Sequence, residues 1–109
     1  MPPFIPEELI ELAIDLKYLH IYNIAWKFPE ILQVIDLFTN NSKIILGGDV
    51  FKINEKLEIE FTYDSWYYNR IEGISDSELL KQSREKAIDY IKKYVQRNND
   101  IFYFSLTYK

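Results

Sequence analysis

His20 is the only histidine in the chain and cysteine is absent, so a Ser–His or Cys–His nucleophilic pair would have to rest on that single ring. No Gly-x-Ser-x-Gly elbow, phosphate-cradling loop or dinucleotide fingerprint accompanies it. A zinc site would need further ligands beside it, and the neighbouring positions do not supply them. At the end of an amphipathic stretch, His20 reads as a packing or capping residue. The carboxylates Glu58, Glu60 and Asp64 are the other group able to do acid–base work. On one face of one strand, alternate positions lie roughly 7 Å apart. Acids alternating along a strand usually form its wet face, and these are read that way. The sequence therefore implies no catalytic residue, no metal ligand and no cofactor, in a protein that is not an enzyme.

Two other stretches are less ordinary. In Gly47-Gly48-Asp49-Val50, paired glycines interrupt a strand-like pattern, which predicts a bulge, a bend or the close approach of another backbone. In Tyr63-Asp64-Ser65-Trp66-Tyr67-Tyr68, a strand ends among aromatics: either Trp66 and Tyr68 complete the core, or Trp66 and Tyr67 project with Asp49 and Asp64 as a mixed acidic and aromatic patch. Acids beside Trp and Tyr are typical of interface hot spots. Asp49, Glu58, Glu60, Asp64, Trp66 and Tyr67 are therefore the candidate partner-binding residues.

Charge points the same way. The net charge is −4, unevenly spread: residues 1–54 hold seven acids and four bases (−3), residues 55–78 seven acids and two bases (−5), and residues 81–109 three acids and seven bases (+4). A nucleic-acid binder usually carries a dominant basic field to displace counterions from phosphate. This balance favours a basic protein partner instead. Aromatic residues make 17% of the chain, enough both to fill a small core and to furnish surface anchors. The absence of cysteine, of a basic-then-apolar leader and of any run near 18 apolar residues predicts a soluble intracellular protein with no membrane span.

These residues need elements to hold them. Pro6, followed by Glu7 and Glu8 and an apolar stripe of Leu9, Leu12, Ala13 and Leu16, predicts a helix over 6–18. Residues 20–28 are rich in apolar side chains but locally ambiguous. Pro29 opens a second helix or sits within its first turn; that helix buries Ile31, Leu32, Ile35 and Phe38, with Val34 widening the stripe, and ends at Asn40-Asn41-Ser42. Strands are predicted over 43–53, 56–66 and 101–108. The second shows the clearest alternation, with Leu57, Ile59, Phe61 and Tyr63 facing the core. Ser75-Asp76-Ser77-Glu78 is a capping box opening a helix to about 96, with a stripe of Leu80, Ser83, Ala87, Ile91 and Tyr94. The expected fold is α+β, a single domain over 1–109. Three helices pack on a small, mainly antiparallel three-stranded sheet, in the order α-α-β-β-α-β.

At these motifs the chain resembles a known family. Ile45-Leu46-Gly47-Gly48-Asp49-Val50-Phe51, Thr62-Tyr63-Asp64-Ser65-Trp66-Tyr67, the helix from Ser77 to Tyr94 and the closing Phe102-Tyr103-Phe104 resemble immunity protein 40. These are small bacterial proteins of polymorphic and contact-dependent toxin systems. The likeness covers about residues 20–108, and Phe51 and Ser65 stand where that pattern has Tyr and Asn. It implies a cytoplasmic protein that binds and neutralises one cognate toxin domain. The rival classes are a generic interaction or regulatory domain without a toxin partner, and a small-molecule-binding domain.

Overall fold

The computed structural model describes residues 2–109 and contains three helices, a 3-10 turn and six strands. Helix α1 is Glu7–Leu12, α2 is Glu30–Asn40 and α3 is Asp76–Arg97. The strands are β1 Ile14–Asp15, β2 Ile24–Lys27, β3 Ile45–Ile53, β4 Ile59–Tyr67, β5 Phe102–Phe104 and β6 Thr107–Tyr108. All pairings are antiparallel, in the order β1-β2-β5-β3-β4, with β6 also on β3. The α+β class is as expected, but the sheet has six strands where three were predicted, and the order is α-β-β-α-β-β-α-β-β rather than α-α-β-β-α-β. Two of the added strands come from the N-terminal third. The third arises because the predicted strand over 101–108 is split at Ser105-Leu106.

The first helix is also shorter than its periodicity predicts. It stops at Leu12, Ala13 turns extended, and Ile14 and Asp15 pair with Ala25 and Ile24. The cause is tertiary: Leu16 is fully buried on the far face of the sheet, clustered with Ala25 and Phe51. A helix of this length is marginal alone, so that burial overrides its propensity. His20 closes the 3-10 turn Lys17–Leu19, its backbone left-handed and its N–H donating to the Lys17 carbonyl at 2.8 Å.

Helices α2 and α3 cover the other face. Ile31, Val34, Ile35 and Phe38 of α2 and Ala87 and Ile91 of α3 meet Trp26, Ile45, Val50, Trp66, Phe102, Phe104 and Leu106 in the main core. One half of the predicted capping box is present, the Glu78 N–H donating to Ser75 Oγ at 3.2 Å, while the Glu78 carboxylate accepts from Gln82 Nε2 at 3.3 Å instead of reaching back to the Ser75 N–H. Its buried stripe begins one position earlier than expected, at Leu79 rather than Leu80, and continues through Ser83, Ala87 and Ile91. Small side chains at 83 and 87 let the helix lie close to the sheet, and Ser83 Oγ accepts the Ile45 N–H at 3.2 Å.

Strand β4 departs furthest from its pattern. Ile59 is half-buried, but Leu57, Phe61 and Tyr63 are 83%, 39% and 89% exposed, so the predicted buried face of Leu57, Ile59, Phe61 and Tyr63 is corrected. Leu57 lies in the β3–β4 turn with φ 62°, not in the strand. Beyond it, β4 is the outermost strand at one end of the sheet, as β1 is at the other, and the face away from the helices has only the small Leu16–Ala25–Phe51 cluster to cover it. Apolar alternation therefore marks this strand without burying it.

Candidate partner-binding surface

Strand β4 carries most of the candidate residues, and a bulge determines how it presents them. Between the pairs Phe51–Phe61 and Asp49–Ser65, β3 has one residue, Val50, whereas β4 has three: Thr62, Tyr63 and Asp64. The surplus is pinned rather than loose. Thr62 Oγ1 donates to the Val50 carbonyl at 2.8 Å and accepts the Asp64 N–H at 3.1 Å. Tyr63, at the crest, has φ 66°, in the left-handed region. For a side chain as bulky as Tyr that costs on the order of 1 kcal/mol, which the surrounding bonds must hold in place.

The carboxylates face different tasks. Asp64 is exposed, yet its Oδ2 accepts the Tyr94 hydroxyl at 2.8 Å. Glu60 is engaged twice, with Lys52 Nζ 3.1 Å from its Oε1 and Asn54 Nδ2 donating to its Oε2 at 3.3 Å. The hydrogen bond from Lys52, then that from Asn54, holds its carboxyl below the usual range. Glu58 and Asp49 are exposed, and among the described residues neither side chain has a hydrogen bond or an ion pair. Asp49 is fixed by its backbone: its N–H donates to Ser105 Oγ at 3.3 Å and its carbonyl accepts the Ser105 N–H at 3.0 Å.

The aromatics divide sharply. Tyr67 is exposed, but Trp66 is only 3% exposed and stacks on Tyr90 at 5.0 Å, so it is a core residue and not the surface anchor its sequence context allows. The Gly47-Gly48 pair explains its position. A side chain at Gly47 would run into the Trp66 backbone, and one at Gly48 would meet the Trp66 ring and the Ser105 carbonyl. Close approach of another backbone, one of the three predicted roles, is thus present. The structure adds Phe61 and Tyr63 to the surface. Their rings stack at 5.6 Å, and Phe61 leans on buried Phe51 at 5.8 Å. Alternation concealed them, because it assigns both to the core.

Under this surface, Tyr94 is held in its protonated form. Burial, then the hydrogen bond to Asp64, pushes its phenol from near 10 up to about 12. Burial, then the charges of Asp64 and Asp49, raises Tyr90 as well. Below pH 10 both folded and unfolded phenols keep their protons and the contribution to stability is complete. Between pH 10 and about 12 the unfolded chain releases the Tyr94 proton first, so that contribution is lost. Melting temperature should fall across this window, and Tyr94→Phe should flatten part of the fall; identical alkaline profiles for the two proteins would remove Tyr94 from the account.

A cleft of about 300 Å³ opens at the opposite side of the sheet, floored by Trp26, Phe38 and Leu106 and rimmed by Asp15, Lys17, Tyr22, Asn23 and Tyr108. Apart from the Tyr22 and Tyr108 hydroxyls, its side-chain polar groups are engaged with each other or with backbone. Lys17 pairs with Asp15 at 3.8 Å, and Asn23 donates to the Leu106 carbonyl and accepts the Ile24 N–H. Small-molecule sites instead rely on a few free polar groups converging on the ligand. Among the described residues no helix is long and apolar enough to cross a membrane, and no three His, Cys, Asp or Glu side chains gather as a metal site.

No curated protein and no solved structure matches the chain. The family model for Immunity protein 40 matches residues 15–108, which takes in the bulged β3–β4 pair, the capped α3 and the closing strands. The chain belongs to the immunity protein 40 family.

Proposed function

We propose that this protein binds and neutralises a cognate bacterial toxin domain in the cytoplasm of the cell that makes it, by protein–protein contact and without chemistry of its own. The observation that carries this reading, beside family membership, is the outermost strand. An exposed edge normally invites unwanted pairing, and charge or a bulge guards against it. Here β4 has both, and in addition displays aromatic rings at Tyr63 and Tyr67 that stay largely exposed among the described residues. Asp49, Glu58, Glu60, Asp64 and Tyr67 form the contact surface, with Trp66 beneath it as support. Asp49 and Glu58 are the free carboxylates. They supply long-range attraction for a basic toxin surface, which acts chiefly on the rate of encounter.

The test uses the toxin domain encoded beside this chain. Reversing Asp49 and Glu58 together to Lys leaves the Lys52–Glu60 pair and the Asp64–Tyr94 bond intact. At low salt the Asp49→Lys/Glu58→Lys protein should associate about tenfold more slowly with little change in dissociation, and added salt should narrow the gap. Unchanged association at low salt would move the interface away from the surface formed by β3, β4 and their turn.

A further inference from the structure

Tyr63 has no role in folding that its environment supports. Its ring is 89% exposed, and its backbone lies where glycine or asparagine is at ease and a bulky side chain is not. Nonetheless it is held firmly. The Thr62 hydroxyl bridges the bulge to Val50, Asp64 is tied to Tyr94, and the ring lies within 24° of parallel on Phe61. The three rings Phe51, Phe61 and Tyr63 form a continuous ramp from a 1% exposed side chain through 39% to 89%. A rigid aromatic at the end of such a ramp loses little conformational freedom when a partner closes over it. That is the physical basis of Tyr at hot spots.

We propose that Tyr63 is the anchor of the toxin interface, inserting its ring into an apolar cleft on the toxin domain whose rim carries Lys or Arg side chains. The proposal rests on the immunity reading and names the residue through which it acts. Charge complementarity selects the occupant. Acids outnumber bases seven to two over residues 55–78, and Asp64 directly follows Tyr63. A cationic rim would pair with the exposed carboxylates of the strand and its turn, Glu58 and Asp64, while the ring fills the cleft. A second copy of this chain would instead bring one acidic edge against another, which repels. The bulge serves both ends, interrupting the edge against strand pairing and raising one side chain above it.

The experiment measures binding kinetics of the purified full chain with the toxin domain encoded beside it. Tyr63→Asn suits the left-handed backbone and removes the ring, so its melting temperature should stay within about 4 °C of the parent. Its affinity should fall about 30-fold or more, with most of the loss in faster dissociation. Tyr63→Phe keeps the ring and should bind within about fivefold of the parent. A parent chain that fails to bind this toxin domain at all overturns the immunity reading and the anchor with it. A parent that binds, beside a folded Tyr63→Asn protein within about threefold of it, overturns the anchor alone. Self-association abolished by Tyr63→Asn while toxin binding is untouched would also overturn it, assigning the ring to contact between copies.

Discussion

Ala87→Asp should leave the chain largely unfolded at ordinary temperature, or lower its melting point by about 15 °C or more. Ala87 is 0% exposed at the middle of α3 and belongs to the core shared with Val50, Trp66 and Phe104. A carboxylate there has no partner built for it. It must be buried charged, be protonated, or prise the helix off the sheet, and each route costs several kcal/mol. A domain of this size has only about 5–15 kcal/mol in total. Lys86→Asp, one residue away on an exposed position, makes a larger change in charge but should move stability by only about 0.5 kcal/mol. Circular dichroism melts of the two proteins decide the matter; a shift under about 2 °C for Ala87→Asp would mean that α3 does not pack as described.

That prediction was legible from periodicity, and the reason is general. Helix α3 is long, capped by Ser75 and amphipathic, so local signals and tertiary packing agree over Ser83, Ala87 and Ile91. The same agreement made β3 and α2 readable. Failure came where they conflict. Residues 7–16 carry one helical stripe, but Leu16 finds its burial across the sheet from α1, and no local pattern encodes which face a later strand will leave open. The closing strand broke because Ser105 turns its backbone and hydroxyl to Asp49, a contact between residues 56 positions apart.

The candidate site was half legible, for a related reason. Acidity and aromatic content singled out β4 as the candidate strand, since both are properties of composition. Which ring is inside depends on how many residues separate it from the bulge. Three residues of β4 opposite one of β3 lift Tyr63 to the crest, while Trp66 lies over Gly48 in the core. Apolar alternation reads Phe61 and Tyr63 as buried because it assumes a covered sheet face, and an outermost strand has too little above it.

Gly48→Ala is expected to be a costly single-methyl change made by crowding alone, and it tests the link between this packing and the surface. The added carbon would collide with the Ser105 carbonyl on one side and the Trp66 ring on the other. Neither can yield cheaply. Ser105 is bonded to Asp49 through backbone and hydroxyl, and Trp66 is stacked on Tyr90. Overpacking of this kind costs about 1–3 kcal/mol where the surroundings relax and more where backbone must move. A loss near 3 kcal/mol lowers the melting point of a domain this size by roughly 12–20 °C. Gly73→Ala provides the contrast. Its φ is +84°, but nothing lies within 4 Å of the added carbon, so the change carries only the left-handed penalty of about 1–2 kcal/mol. Two glycines thus separate two causes, crowding at 48 and conformation at 73. Thermal melts should rank Gly48→Ala well below Gly73→Ala. Because the displaced groups hold Asp49 and Trp66, Gly48→Ala should also weaken toxin binding at temperatures where it remains folded. The reverse ranking would mean that β3 and β4 do not approach as closely as the glycine pair requires.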